Sequence, residues 1–188
     1  DAARVIREWG RGPVAFIGLS MGAMVGQGLA IRHPDCVQRL FLANTTAAYP
    51  EAARQGWASR ITTVREGGMA AVADIVVQRY LHEAFRQRHP EVAAALLQKL
   101  LRQDPTDYAA ACQAVADVDW LDQLHRITCP TDILVGARDV GATPEMGKAM
   151  ADRIHGSVLK VLEDASHLSV AECAEAFSSQ VRAWLARR

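Results

Sequence analysis

Residues 13–28 read PVAFIGLSMGAMVGQG. Their first part, 14–17, is a short uncharged run rich in β-formers, which predicts a strand. Gly18-Leu19-Ser20-Met21-Gly22 then fits G-x-S-x-G, and 23–31 continues as an apolar stretch without proline. Strand, sharp turn and helix around a serine make a nucleophile elbow. The strained turn thrusts the Ser20 hydroxyl off the strand end, and Gly18 and Gly22 are expected to leave room where backbone and helix approach closely. Because the helix begins at the turn, the N–H of Met21 points into the site, where it can donate to a developing oxyanion. Residues 12–31 carry no charge, and Gly18, Gly22 and Gly26 follow G-x-x-x-G spacing, so a membrane span is the competing reading. Pro13, the glycines, Ser20, Gln27 and the strand-like first half weigh against it. The other alternative is a glycine-packed βα unit with an incidental serine, so the motif needs partners elsewhere in the chain.

Working outward, Ala2, Val5, Ile6 and Trp9 fall at helical spacing, and Gly10 and Gly12 stop that helix before the elbow strand. After the elbow helix, His33-Pro34-Asp35 breaks the pattern and 37–43, VQRLFLA, reads as a second buried strand ending at Asn44-Thr45-Thr46. Strand, helix and strand in succession imply a parallel pair. From 46 to 126 the texture changes to alanine, arginine, glutamine and glutamate with helical periodicity, with helices expected over 51–66, 69–81, 90–102 and from 104 to 115. A bundle packing for its own sake is the plain account. Between strands of an α/β sheet, a long helical excursion is more often a lid over the strand ends, where such sheets bind ligands. The sheet resumes with 132–136, DILVG; Pro144 opens a helix at its first turn; 158–162, VLKVL, makes a fourth strand. A last amphipathic helix is expected over 171–185, with Ala176, Phe177, Val181, Trp184 and Leu185 on one face. The expected division is therefore an α/β core over 1–45 and 127–188, with a helical insert over 46–126.

With 188 residues, half of them apolar, the chain can bury a sizeable core. Lys plus Arg equals Asp plus Glu at 21 each, so global charge points neither to nucleic acid nor to an anionic membrane. Cys36, Cys112, Cys129 and Cys173 lie far apart, with no C-x-x-C and no histidine at ligand spacing. They read as buried or incidental thiols of a reducing compartment, here the cytoplasm, and not as a metal site or disulfide framework.

Ser20, Asp139 and His167 share one kind of position, just past the C-terminal end of a strand. In a parallel sheet those ends lie on one edge, so residues distant in sequence can meet. A serine hydroxyl is a poor nucleophile unless an imidazole takes its proton, and the imidazole needs a carboxylate to fix its tautomer. The order Ser, Asp, His is that of an α/β-hydrolase. Taken singly, Asp139 could tie down the turn before the Pro144 helix, and His167 could be a half-buried loop residue. His33, His82, His89, His125 and His155 lack the strand-end context and read as surface residues.

With GLSMG and AMVGQGLA at the elbow, RLFLANT at 39–45, DVGATP at 139–144 and DASHLS at 164–169, the chain resembles the 3-oxoadipate enol-lactonases, α/β-hydrolases of bacterial aromatic catabolism in the β-ketoadipate pathway. The resemblance extends through the insert, where Trp57, Arg60, 63–69 and YAAAC at 108–112 look like that family's lid. It implies Ser20 as nucleophile, Asp139 as orienting acid, His167 as base and Met21 as oxyanion donor, with Trp57 and Arg60 as substrate contacts. The implied reaction is lactone hydrolysis without a cofactor. The alternatives are a carboxylesterase, a carbon–carbon bond hydrolase of ring-cleavage products, or a ligand-binding relative that turns over slowly. A dianionic product would need a basic contact, for which Arg54, Arg60 and Arg65 are candidates.

Two departures from the pattern stand out. After His167-Leu168 the chain reads SVAECAEAF over 169–177, where hydrolases often carry an acidic residue before Gln-Pro. The strands and His-Gly loop that precede the elbow in this fold, on the order of 70 residues, are also missing from the chain as written. The expectation is the C-terminal half of an α/β-hydrolase sheet with a helical lid, completed by an N-terminal segment or a second chain. Alone it would expose an apolar sheet edge and lack an oxyanion donor, whose loss costs about 2.7 to 4 kcal/mol.

Overall fold

The computed structural model describes residues 1–187. In chain order the elements are α1 (Ala2–Trp9), β1 (Val14–Leu19), α2 (Met21–Arg32), β2 (Val37–Ala43), α3 (Glu51–Gly67), α4 (Ala73–Tyr80) and α5 (Glu83–Arg88). They continue with α6 (Pro90–Leu101), α7 (Pro105–Ala116), β3 (Thr131–Gly136), α8 (Pro144–Ala151), β4 (Val158–Leu162), α9 (Ser169–Glu172) and α10 (Ala174–Ala186). Two compact units result, one of Asp1–Ala47 with Asp119–Arg188, the other Ala48–Val118.

The first unit holds one sheet of four parallel strands in the order β1-β2-β3-β4. Alternation along the strands sends Leu40, Leu42, Ile133 and Val135 to one face and Phe41, Ala43 and Leu134 to the other. Both faces of the central strands are covered there, which is why 40–43 and 133–135 read as unbroken apolar runs. On the first face lie Ala23, Leu29 and Ile31 of α2, with Met150 of α8 and Leu124 and Ile127 from the approach to β3. On the second, Phe177 and Trp184 of α10 meet the Phe41 ring edge-on at 6.1 and 5.4 Å. Asp132, a charged residue buried in β3, is paired with Arg187 and lies 3.8 Å from Lys160.

The second unit has its own core, built from Ile61 and Val64 of α3, Val76 and Val77 of α4, Leu100 of α6, and Ala109 and Cys112 of α7. Asp104 caps α7 by accepting from the N–H groups of Thr106 and Asp107 at 2.7 and 3.1 Å.

Several sequence expectations need correction. The second boundary falls between Val118 and Asp119 and not after 126, because Trp120, Leu121 and Leu124 pack into the core of the sheet unit. The first falls after Ala47, itself fully buried in that core, and not after 45. The stretch expected as one helix over 69–81 is a 3-10 turn (Met69–Ala71) followed by α4, and α5 was not foreseen. On α1 the packed face runs through Ala2, Ala3 and Ile6, while Val5 and Trp9 are 66% and 57% exposed. The last helix breaks at Cys173 into α9 and α10, and Leu185 is half exposed. His33 and His82 are half-buried; His82 caps α5, its Nδ1 accepting from Phe85 N–H at 3.3 Å. The uncharged stretch 12–31 divides between β1 and α2, and no helix among the described residues is long and apolar enough to cross a membrane.

Candidate active site

Ser20 sits between β1 and α2 with φ 53° and ψ −119°, a left-handed conformation that costs a non-glycine residue free energy and persists only where its surroundings impose it. Those surroundings are visible. Its N–H donates to Ala43 O at 2.9 Å, and its carbonyl accepts from Ala23 N–H, Met24 N–H and the Thr45 hydroxyl at 3.0, 3.1 and 3.0 Å. The elbow is therefore clamped by the neighbouring strand on one side and the first turn of α2 on the other. Gly18 is required by close approach: a Cβ there would lie 2.4 Å from Ala23 N. Gly22 departs from expectation, since a Cβ there meets nothing within 4 Å. Gly26 and Gly28 instead let α2 settle onto Phe16 and Trp120, whose rings would lie 2.9 and 2.8 Å from an added Cβ. Met21 is the first residue of α2, so its N–H is among those a helix leaves without an internal acceptor.

Asp139 lies in the loop after β3 and is 3% exposed. Its two oxygens divide the work. Oδ1 accepts from the N–H groups of Gly141 and Ala142 at 2.8 and 2.9 Å, an Asx turn that ties the loop leading to α8. Oδ2 accepts from His167 Nδ1 at 2.8 Å and from Asn44 Nδ2 at 3.3 Å. Burial pushes the Asp139 carboxyl up, but the hydrogen bond and charge of His167 and the two backbone donors outweigh it and hold it below the ordinary aspartate value.

His167 is 7% exposed, in the loop after β4, and its Nε2 lies 2.9 Å from Ser20 Oγ. An ionised carboxylate only accepts, so the proton of neutral His167 belongs on Nδ1 and the Nε2 lone pair faces the serine hydroxyl. The loop is held at both ends. Ala137 N–H donates to Leu162 O and Arg138 N–H to Ala165 O, both at 2.9 Å, while Ser166 donates its N–H and its hydroxyl to Glu172, the latter at 2.8 Å. Gly136 permits this contact, since a Cβ there would lie 2.4 Å from Ser166 O.

The structure thus brings Ser20, His167 and Asp139 together in the sheet unit, with Met21 N–H beside the serine in sequence. Trp57 and Arg60 lie in the helical unit on α3, where the Arg60 guanidinium stacks 4.6 Å over the Trp57 ring and Tyr49 meets that ring edge-on at 5.7 Å. Sequence reasoning missed Asn44, Thr45 and Glu172. Glu172 does carry a signal, since it is the acid of SVAEC and stands five residues after His167. Asn44 carries one only when strand order is known, because β2 lies beside β3. Chemically, the arrangement is a hydroxyl with a proton acceptor at hydrogen-bond distance, an anion that orients the acceptor, and a helix N-terminus at the reacting end.

Comparison with known proteins places this geometry in context. Residues 2–174 match the family described as serine aminopeptidase, S33. The chain is 37% identical over 172 residues to 3-oxoadipate enol-lactonase 2 of Acinetobacter baylyi, covering 92% of this chain and 63% of that protein. Among solved structures it resembles the enol-lactonase from Burkholderia xenovorans (33% identity, TM-score 0.92) and a thermophilic esterase from Thermogutta terrifontis (32%, 0.88). These matches cover 97% and 98% of this chain and 69% of each of those chains. The chain therefore spans about two thirds of the length of the relatives it matches. On a match that runs through nearly all of its length, the chain belongs to this family, of the α/β-hydrolase superfamily, and within it is similar to both enol-lactonases and an esterase.

Proposed function

We propose that the chain carries the catalytic residues of an enol-lactone hydrolase acting on 3-oxoadipate enol-lactone. The observation that carries this reading is the continuous line of hydrogen bonds Ser20–His167–Asp139, at 2.9 and 2.8 Å. In the reaction, Ser20 Oγ attacks the ring carbonyl while its proton passes to His167 Nε2, and Asp139 stabilises the imidazolium. The negative charge that develops on the carbonyl oxygen is met by Met21 N–H. The ring C–O bond then breaks, and the leaving enol oxygen takes the proton from His167 and tautomerises to the ketone. An enol leaves readily, so the demand on the acid is mild. Water then gives a proton to His167 as it attacks the acyl carbonyl, and when the acyl–Oγ bond breaks the proton passes from His167 to Ser20 Oγ, releasing 3-oxoadipate. Arg60 is proposed to hold a substrate carboxylate with Trp57 beside it, and the helical unit to select the substrate.

The test is hydrolysis of 3-oxoadipate enol-lactone, with Ser20→Ala as control and fluorophosphonate labelling of Ser20 in parallel. Turnover and labelling that both vanish in Ser20→Ala are the expected result. Labelling without lactone turnover would favour the second reading, a carboxylesterase, for which the observation is the similar identity to the Thermogutta esterase.

A further inference from the structure

We propose that Asn44 is a positioning residue for the proposed serine chemistry, a hydrogen-bond donor that holds the Asp139 carboxylate so that its Oδ2 faces His167. The inference rests on the serine-hydrolase reading above. It starts from the backbone. Asn44 follows the last residue of β2 and is fully buried with φ 44°, the region where asparagine is among the few side chains tolerated. Its N–H donates to Leu134 O at 2.8 Å, so this turn is fixed by the neighbouring strand β3. The side chain then reaches two further loops. Nδ2 donates to Asp139 Oδ2 at 3.3 Å and to Ser166 O at 2.8 Å, while Oδ1 accepts from the Ser169 hydroxyl. One amide therefore joins the ends of β2, β3 and β4.

The orientation of that amide is determined by its neighbours. Rotating it by half a turn would set Oδ1 against Asp139 Oδ2 and Ser166 O, three acceptors facing one another without a donor. In the observed orientation Asp139 Oδ2 has two donors, Asn44 and His167, and Oδ1 has two backbone donors. A carboxylate with each lone-pair direction occupied cannot swing, so the imidazole that donates to it is held in line with Ser20. A residue chosen only to pack would not need an amide here, since the cavity is bounded by acceptors on two sides and a hydroxyl on the third.

The test uses the full chain and two readouts: the rate at which a fluorophosphonate labels Ser20, and the NMR resonance of the His167 Nδ1 proton. Asn44→Gly keeps the left-handed backbone and removes the donor. Labelling is expected to slow by about tenfold to a hundredfold, by analogy with the loss of outer hydrogen-bond partners at metal-binding side chains, and the Nδ1 resonance to move. A folded Asn44→Gly protein with wild-type labelling and an unmoved resonance overturns the proposal, even if its melting temperature falls. Ser169→Ala leaves Asn44 in place but frees its amide, and is expected to move the same two readouts by less. If Asn44→Gly does not fold, unchanged readouts in Ser169→Ala overturn the proposal instead. Wild-type protein that takes no label overturns the serine-hydrolase reading and this inference together. Wild-type protein that is labelled but leaves the lactone intact overturns the substrate alone, and slower labelling of Asn44→Gly in that protein still supports the role of Asn44.

Discussion

Asp139 answers to two demands at once, one oxygen closing a turn and the other facing an imidazole. Asp139→Asn makes the demands incompatible. Its amide nitrogen must face either two backbone N–H groups or the Nδ1 proton, and the second choice drives His167 to the wrong tautomer. Turnover is expected to drop by about 10⁴-fold with the fold retained, read as a loss in kcat, by analogy with the serine-protease triad in which this change has been worked through. The substitution also has a pH signature. The folded-state carboxyl lies below its ordinary value, so its contribution to stability is complete above the unfolded value and is lost as pH falls through the lowered one. Wild type is thus expected to exceed Asp139→Asn in urea midpoint at neutral pH, with the gap closing in acid; a gap that widens in acid would contradict this. The three residues with a place at strand ends were legible from sequence because each followed a recognisable apolar run. Asn44 was not, because its partners at 139, 166 and 169 are chosen by the order of strands, which no local pattern encodes.

At the level of elements, the elbow separates two glycines that look alike in the motif. Gly18 lies where strand and helix backbones nearly touch, and Gly22 lies in open space within the first turn of α2. Gly18→Ala must push α2 away from β1, an overpacking that typically costs about 1–3 kcal/mol, here against unyielding backbone. Gly22→Ala adds helix propensity and is expected to stabilise by up to ~1 kcal/mol. Denaturant midpoints of the two variants would move in opposite directions; a common direction would show that the clearance is misjudged. The central strands were readable because both of their faces are covered, leaving the apolar runs 40–43 and 133–135 with clear ends, while β1 and β4 were readable from short apolar runs that stay partly exposed. The short helix α5 was not, since its six residues, EAFRQR, bury only Phe85 and so carry no periodicity. The exposed flank of α1 was misjudged for the opposite reason: Val5 and Trp9 have the spacing of a buried face, yet both stay more than half exposed, with the Arg11 guanidinium 5.4 Å over the Trp9 ring.

For the whole molecule, the division into a sheet unit and a helical unit was legible as a change of texture, while its boundaries were not, because Trp120 and Leu124 belong by packing to the sheet and by sequence to the helical stretch. The sheet unit is interrupted at a single place. Ala47 O accepts from Trp120 N–H at 2.8 Å, so the two chain ends at the interruption already meet. Replacing 48–118 by a short glycine-serine linker should therefore close without strain, since loop-closure cost grows only slowly with length. The expected protein keeps fluorophosphonate labelling of Ser20, whose partners all lie in the sheet unit, and loses its discrimination between lactone and simple ester substrates. Loss of labelling in a folded product would instead assign the helical unit a part in the chemistry. The separation between Ser20 and His167 also has a meaning in time. The pair is 147 residues apart, and the strained turn at Ser20 leans on Ala43 and Thr45. During synthesis the serine leaves the ribosome long before its imidazole exists, so the nascent chain stays chemically mute, and its reactivity switches on only when β4 has joined the sheet and the loop after it has brought His167 to the serine.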